Sequence, residues 1–457
     1  MGRRTVRWRG VCLALSGALS CTAALLLPGQ GAALAADSTP SPSPSSYGFA
    51  PDVRTVTGAS SAAGAGSLEL GATYKSSLPE GGKLYYSVVL DDTSDTYVSV
   101  TAVPRARTKI SAGGGIRVYL QADDSHTCSG NTSYFGSGGS PRPIAAWGAR
   151  ETFSKRTSCK EAGTYYVVVE RLDGTDPSPD TWDLELAPMS EPGVKGAEGT
   201  TEAPKDWDSE SPKPPTGETG EAGEAVRLPG GPGFDGAVTA RTGAWSADLT
   251  PGQTLFYEVP VDWGRRLQAT AELDGAATDG GYVIGALTMS LYNPARVPVD
   301  DATLGFNGTQ KSRSLPSLPP VAYDNRYAAT KSQSAMRFAG GYYLALHLSE
   351  RMAEEYGDGP FGVTLRVRVD GSSEAAPEYV GESEPRGVFE VAVQDRGAGS
   401  ADGVDAGAEE GGAGGGAGSG GGAVMKVVAA AGIGGGTLVL VVLGAWTVVA
   451  RRRGGAW

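Results

Sequence analysis

The chain spells one β-strand twice. Ala162-Gly163-Thr164-Tyr165-Tyr166-Val167-Val168-Val169 returns as Ala339-Gly340-Gly341-Tyr342-Tyr343-Leu344-Ala345-Leu346. Aromatic and β-branched residues bounded by turn residues are the signature of a strand. The surroundings repeat as well. Leu68-Glu69-Leu70-Gly71, then Leu78-Pro79-Glu80-Gly81-Gly82-Lys83-Leu84-Tyr85-Tyr86-Ser87-Val88, reads strand, turn, aromatic strand. Trp245-Ser246-Ala247-Asp248-Leu249, then Pro251-Gly252-Gln253-Thr254-Leu255-Phe256-Tyr257-Glu258-Val259, keeps that order. Alternating segments 97–102 and 267–273 follow, then apolar segments 116–120 and 286–292, and segments 182–186 and 361–369 close each copy. Period two puts Tyr342, Leu344, Leu346 and Leu348 on one face of their strand, and Tyr343, Ala345, His347 and Ser349 on the other. The first set is expected to fill a core, the second to face water or an inserted loop. No stretch between the termini sustains a helical period.

The expected fold is therefore all-β, with two antiparallel β-sandwich domains of jelly-roll type at 66–187 and 234–370. Segments 121–158 and 293–335 read as long insertions. Residues 188–233 are rich in Pro, Glu, Gly and Lys with few apolar residues, the composition of a disordered linker. A Ser/Pro/Ala-rich lead-in fills 36–65, and an acidic, then Gly-rich stalk fills 371–422. Segment 388–393 reads as one extra strand.

The Leu-x-x-Gly turn, the aromatic strand and the closing Ala-Gly-Thr-Tyr-Tyr-Val-Val-Val strand resemble the bacterial pre-peptidase C-terminal domain, over 66–187 and more faintly over 236–370. The resemblance implies a small jelly-roll-like sandwich of the kind appended to exported enzymes. This chain departs from that pattern in having no peptidase and in its two insertions.

Both ends of the chain predict export and anchoring. Arg3, Arg4, Arg7 and Arg9 precede an apolar stretch at 11–27 and a small-x-small site at Ala33-Leu34-Ala35, as in a secretory leader cleaved near residue 35; Sec and Tat export both stay open. Residues 427–450 carry no charge and are followed by Arg451, Arg452 and Arg453. About twenty apolar residues suffice to span the hydrocarbon core, and arginines mark the cytoplasmic side. The expectation is a single-pass membrane protein with an extracellular N-terminal part and a cytoplasmic tail at 451–457. Gly432 and Gly436, one turn apart, form a small-residue face on which such helices self-associate.

Charge narrows the partners. Of 39 basic residues, four lie in the leader and four at the C-terminal end, so 31 face 51 acids and the exported part carries a net charge of −20. Such a surface repels nucleic acid. Cys12 and Cys21 belong to the leader; Cys128 and Cys159 form an even pair in an oxidising compartment and predict a disulfide. The only histidines are His126 and His347. Neither has triad neighbours in sequence, and there is no Gly-x-Ser-x-Gly or His-Glu-x-x-His motif. No cofactor is expected. The weak calcium candidates are Asp123, Asp124, Asp300 and Asp301, which lack the spaced Asp-x-Asp-x-Asp-Gly pattern. Tyr134, Phe135, Trp147, Phe306, Tyr323 and Tyr327 fall in the insertions, either as binding-loop aromatics or as lids on the sandwich ends.

These features point to a non-enzymatic, membrane-anchored surface protein that displays two β-sandwiches to an envelope protein or glycan. The rival readings are an accessory subunit of a membrane or secretion complex, assembled through its transmembrane helix, and a hydrolase of unrecognised type.

Overall fold

The structure, a computed structural model, describes residues 47–136, 138–152, 159–174, 179–196, 204, 206–207 and 224–392. The leader, the run at 427–450 with Gly432 and Gly436, Arg451, Arg452, Arg453 and the Gly-rich stalk lie outside the described residues. Among the described residues no helix is long and apolar enough to cross a membrane.

The first sandwich has ten strands: β1 (Arg54–Thr55), β2 (Gly66–Leu68), β3 (Tyr74–Leu78), β4 (Lys83–Leu90), β5 (Asp95–Val103), β6 (Gly115–Ala122), β7 (Thr127–Tyr134), β8 (Ile144–Arg150), β9 (Gly163–Leu172) and β10 (Trp182–Glu191). The second has ten more: β11 (Val226–Arg227), β12 (Val238–Thr239), β13 (Gly243–Leu249), β14 (Thr254–Val261), β15 (Arg266–Leu273), β16 (Val283–Tyr292), β17 (Pro298–Phe306), β18 (Lys311–Ser314), β19 (Gly340–Leu348) and β20 (Phe361–Asp370). The sheets of the first run β1-β3-β10-β5-β8 and β2-β4-β9-β6-β7; those of the second run β11-β13-β20-β15-β18 and β12-β14-β19-β16-β17. Adding ten to each strand of the first reproduces the second, so the repeat legible in the sequence is a repeat of topology. The helices are short: α1 (Lys331–Ala335) and α2 (Arg351–Tyr356).

Each sandwich closes over the inward positions of both its sheets. In the first, Val98, Val100, Leu184 and Leu186 meet Tyr86, Val88, Val167 and Val169. In the second, Tyr342, Leu344, Leu346 and Leu348 meet Leu267, Ala269, Leu365 and Val367. At about 1.5–3 kcal/mol per fully buried large aliphatic side chain, these clusters dominate the stability of each domain.

Several sequence expectations need correction. The supposed insertions contribute strands to the sheets: β7 and β8 lie in the first, β17 and β18 in the second. They escaped detection because Thr127–Tyr134 is polar and half-exposed along its length, as suits an edge strand without strong alternation. The first sandwich also outruns its predicted limit, since β10 continues to Glu191 and Val194 bridges Tyr379. Within the predicted linker, near its far end, β11 pairs with β13. Segment 388–393 supplies no strand among its described residues. Phe389 and Val391 are instead buried, with Phe389 stacked on Phe338 at 4.4 Å.

The face carrying Tyr343, Ala345 and His347 meets not water but the segment read as the first insertion, through Ser140 and Ala145. It packs on the first sandwich. Every residue from Asp95 to Ala102 is buried, although the core needs only alternate positions. The other positions lie against the second domain, so the β10-β5-β8 part of the sheet is covered on both faces.

Candidate functional site: the seam between the sandwiches

The two sheets that meet at the seam are not equivalent by the repeat. The first domain presents the sheet containing β5 and β10; the second presents the one containing β14, β16 and β19. Tyr97, Ala149, Ala187 and Met189 pack on Ala295, Val297, Phe338 and Phe389. Nearby, Ala145 packs with Phe234, Phe256, Tyr292 and Ala345. Phe338 meets the Tyr97 ring edge-to-face at 5.2 Å.

Three arginines of the second domain are driven into this surface. A hairpin turn delivers Arg296: it has φ of 55°, and Ser125 at the matching turn of the first domain has 72°. Both turns close on the same backbone bonds, Arg296 N to Asn293 O at 2.8 Å and Ser125 N to Ala122 O at 3.0 Å. The left-handed conformation costs a non-glycine residue roughly 1–2 kcal/mol. Asn293 Oδ1 offsets it by accepting from Ala295 N and Val297 N. Arg296 then donates to Glu185 Oε1 at 2.6 Å and to Asp235 Oδ2 at 2.9 Å, while Tyr47 donates to the same Glu185 oxygen. Arg326 donates to Glu191 at 2.7 Å and Asp95 at 3.4 Å, and lies 3.5 Å from the Tyr323 ring centre. Arg337 donates to Glu151 at 2.6 Å and stands over the Tyr97 ring.

Burial and charge oppose each other here. Burial works against the charge on Arg296, but Glu185 and Asp235 outweigh it and its pKa is raised. Burial also raises Glu185, against the pull of Arg296. Asp95 is pushed up to about 6 by burial and by the neighbouring Glu191 charge, with Arg326 opposing. An ion pair so deeply buried adds little net stability over an apolar pair but is expensive to break. Its effect is to specify one relative placement of the two sandwiches.

At one end of the seam a cleft of about 650 Å³ opens, with Arg107, Lys109, Ser140, Glu350, Arg351 and Asp358 in its lining. Glu350 Oε1 accepts from Arg107 N at 2.7 Å. Ser140 lies 2.8 Å from Nε2 of His347, whose Nδ1 lies 3.0 Å from Thr254 Oγ1. Ser140 Oγ also accepts from Glu350 N at 3.1 Å. A serine–histidine contact beside a cleft invites a catalytic reading, but the chemistry opposes it. Burial, then the charge of Arg142, lowers the His347 pKa to about 3, far from the value suited to a general base near neutrality. Its second nitrogen meets a hydroxyl instead of an orienting carboxylate, and Ser140 is only 4% exposed. The arrangement is a hydrogen-bonded latch between the domains.

The predicted site residues scatter. Cys128 and Cys159 form the expected disulfide, with Cα atoms 5.5 Å apart. Phe135 is buried against Trp182, and Phe306 against Tyr356, so neither is a binding-loop side chain. Trp147 lies half-buried on β8 beside Tyr97. Tyr323 stacks with Arg326, and Tyr327 is half-buried. Tyr134 alone of the six is exposed. Asp124 Oδ1 accepts from His126 N and Asp300 Oδ1 from Asp301 N, as turn acids do; with Asp123 they form no cluster. Among the described residues no group of three or more His, Cys, Asp or Glu is placed to hold a metal ion. Sequence reasoning missed Arg296, Arg326, Arg337 and Ser140, because their partners lie more than a hundred residues away.

No protein-family model and no curated protein matches the chain. Among solved structures it is similar to the CBM22-1–CBM22-2 tandem of Paenibacillus barcinonensis Xyn10C, at 12% identity and a TM-score of 0.17, covering 63% of this chain and 82% of that one. It is also similar to the M60 catalytic domain with CBM51-1 and CBM51-2 of Clostridium perfringens ZmpB, at 10% identity and 0.15, covering 64% and 34%. The human MASP-1/3 CUB1-EGF-CUB2 segment gives 11% identity and 0.15, covering 65% and 99%. At such scores the likeness carries no argument about function.

Proposed function

We propose that this chain is a non-enzymatic surface protein that presents two β-sandwiches, similar to pre-peptidase C-terminal domains, as one rigid binding body tethered to the membrane by residues 427–450. The observation that supports this reading is the seam. Arg296, Arg326 and Arg337 each cross it to a carboxylate of the first sandwich. A pair of loosely strung appendages has no use for such fixation, whereas a body that must offer two sandwiches to one ligand in constant geometry does. The partner is an envelope protein or glycan.

The test is topology followed by retention. In intact cells, added protease should remove the sandwiches and leave a short membrane-protected C-terminal fragment. Full-length protein should be retained on isolated envelope. Complete protection in intact cells, or no retention on envelope, sinks the proposal.

A further inference from the structure

The internal repeat shows which surface the first sandwich leaves open. In the second sandwich, strands β14, β19 and β16 form a grid on the outer face of their sheet. Its rows, read from the register, are Thr254–His347–Thr288, Phe256–Ala345–Ser290 and Glu258–Tyr343–Tyr292. This grid packs on the first domain, with Phe256, Ala345, His347, Thr288 and Tyr292 all buried. The equivalent strands of the first sandwich, β4, β9 and β6, carry the rows Lys83–Glu170–Arg117, Tyr85–Val168–Tyr119 and Ser87–Tyr166–Gln121. Nothing in the described chain packs a second sheet on them: Lys83 and Arg117 are exposed, and Tyr85, Tyr119, Tyr166, Ser87 and Gln121 are half-exposed.

A second copy does not fit there by continuing the stack. The surface equivalent to the one already used at the seam is the outer face of β20 and β15. There Arg366 and Arg368 stand where the seam has Ala187 and Met189, counting from the matched strand starts Phe361 and Trp182. Gln268 replaces Tyr97, since Leu273 and Ala102 take matching places opposite Val363 and Leu184. Burying Arg366 and Arg368, which pair with Glu272 and Asp370 at the surface, would cost their solvation, so this face does not repeat the apolar seam in a head-to-tail contact.

The two grids differ in a way that names the ligand. The grid that meets protein has replaced the charged row by Thr254, His347 and Thr288, with His347 held neutral. The open grid keeps charge and hydroxyls. Glu170 gathers Lys83 at 2.9 Å, Arg117 at 3.6 Å and the Tyr119 hydroxyl at 3.0 Å. Lys83 lies 5.6 Å from the Tyr85 ring centre and 5.7 Å from that of Tyr119. Val168 between them is fully buried, so the two half-exposed tyrosines, on strands two spacings or roughly 10 Å apart, present their rings from a closed surface and not from an open slot. Aromatic faces attract the electropositive C–H faces of a sugar ring. The rows on either side supply donors and acceptors for its hydroxyls, with both cations drawn towards one carboxylate instead of standing free for an anion.

We infer that the β4-β9-β6 face of the first sandwich is a binding site for an uncharged, hydroxyl-rich glycan, with Tyr85 and Tyr119 as stacking residues and Glu170, Lys83 and Gln121 as hydroxyl partners. This rests on the binding-protein reading above and assigns it a ligand class and a surface.

The experiment titrates full-length protein, in a detergent without a sugar headgroup, with chitohexaose, mannohexaose and laminarihexaose, using polygalacturonate as the charged control, by calorimetry. Wild type should bind at least one neutral hexasaccharide and prefer it to polygalacturonate. Tyr85→Ala and Tyr119→Ala should each weaken it tenfold or more, Tyr119→Phe less, and Tyr282→Ala, at an exposed tyrosine of the second sandwich, not at all, with thermal transitions confirming that each variant is folded. The inference is overturned if no neutral hexasaccharide binds, if the polyanion is preferred, or if both tyrosine variants bind as wild type does. Retention on envelope that survives Tyr85→Ala and Tyr119→Ala would overturn this site while leaving the proposed function standing.

Discussion

Ser140 of the first sandwich and His347 of the second are joined by a 2.8 Å hydrogen bond across the seam, although 207 residues separate them. The imidazole is buried and uncharged, with a pKa lowered to about 3 by burial. An unfolded histidine titrates near pH 6.5. The native state therefore resists a proton that the unfolded chain accepts, and the stability this group contributes is whole above pH 6.5 and is lost as pH falls towards 3. His347→Gln should be less stable than wild type at pH 7 but should lose less between pH 6.5 and 4. Urea midpoints at the two pH values measure this, and an equal loss in both proteins would refute it.

Asp95 has the opposite sign. Its folded pKa of about 6 exceeds the unfolded value of 3.8, so its contribution is present below pH 3.8 and disappears as pH rises through 6. Asp95→Asn should remove this part of the pH dependence. Carboxyl carbon resonances of the wild type should show one aspartate titrating near pH 6; an unshifted Asp95 would count against the buried geometry.

Replacing Arg296 by Met should cost about 3–5 kcal/mol, because Glu185 is left buried without its cation. Adding Glu185→Met should restore much of that loss. A double-mutant cycle in chemical denaturation tests the coupling, and simple additivity would show that the pair is not formed.

Phe338→Ala removes a ring held between Tyr97 and Phe389. About 3–5 kcal/mol is expected for such a truncation, lost from the seam and not from either core. Calorimetry should show the single transition of the wild type splitting into two as the sandwiches unfold separately. A uniform downward shift without splitting would place Phe338 within one domain's cooperative unit.

Cys128→Ser with Cys159→Ser should destabilise the first sandwich by about 2–5 kcal/mol and leave the second unaffected. Hydrogen exchange resolves the two domains, and equal deprotection of β19 would contradict the prediction.

How much of this was written in the sequence follows from the range of the forces involved. Period-two alternation is local, and so the inward faces of β5, β9, β15 and β19 could be read directly, as could the tandem repeat and the cysteine pair. Where alternation is weak the strand leaves no such signal: β7, with polar residues along its length, reads as a loop and is an edge strand. The outward faces were illegible for a different reason. Tyr343, Ala345 and His347 look like a solvated face until a second sheet covers them. Tyr85, Tyr119 and Tyr166 show a similar pattern yet lie half-exposed. Whether a face is covered depends on which domain lies across it, and that is decided by Arg296, Arg326 and Arg337 finding Glu185, Glu191 and Glu151 over a hundred residues away. The sequence alone determined two sandwiches and their cores; only the tertiary structure decided how they join and which face stays free, because long-range electrostatic and shape complementarity leaves no periodic trace along a chain.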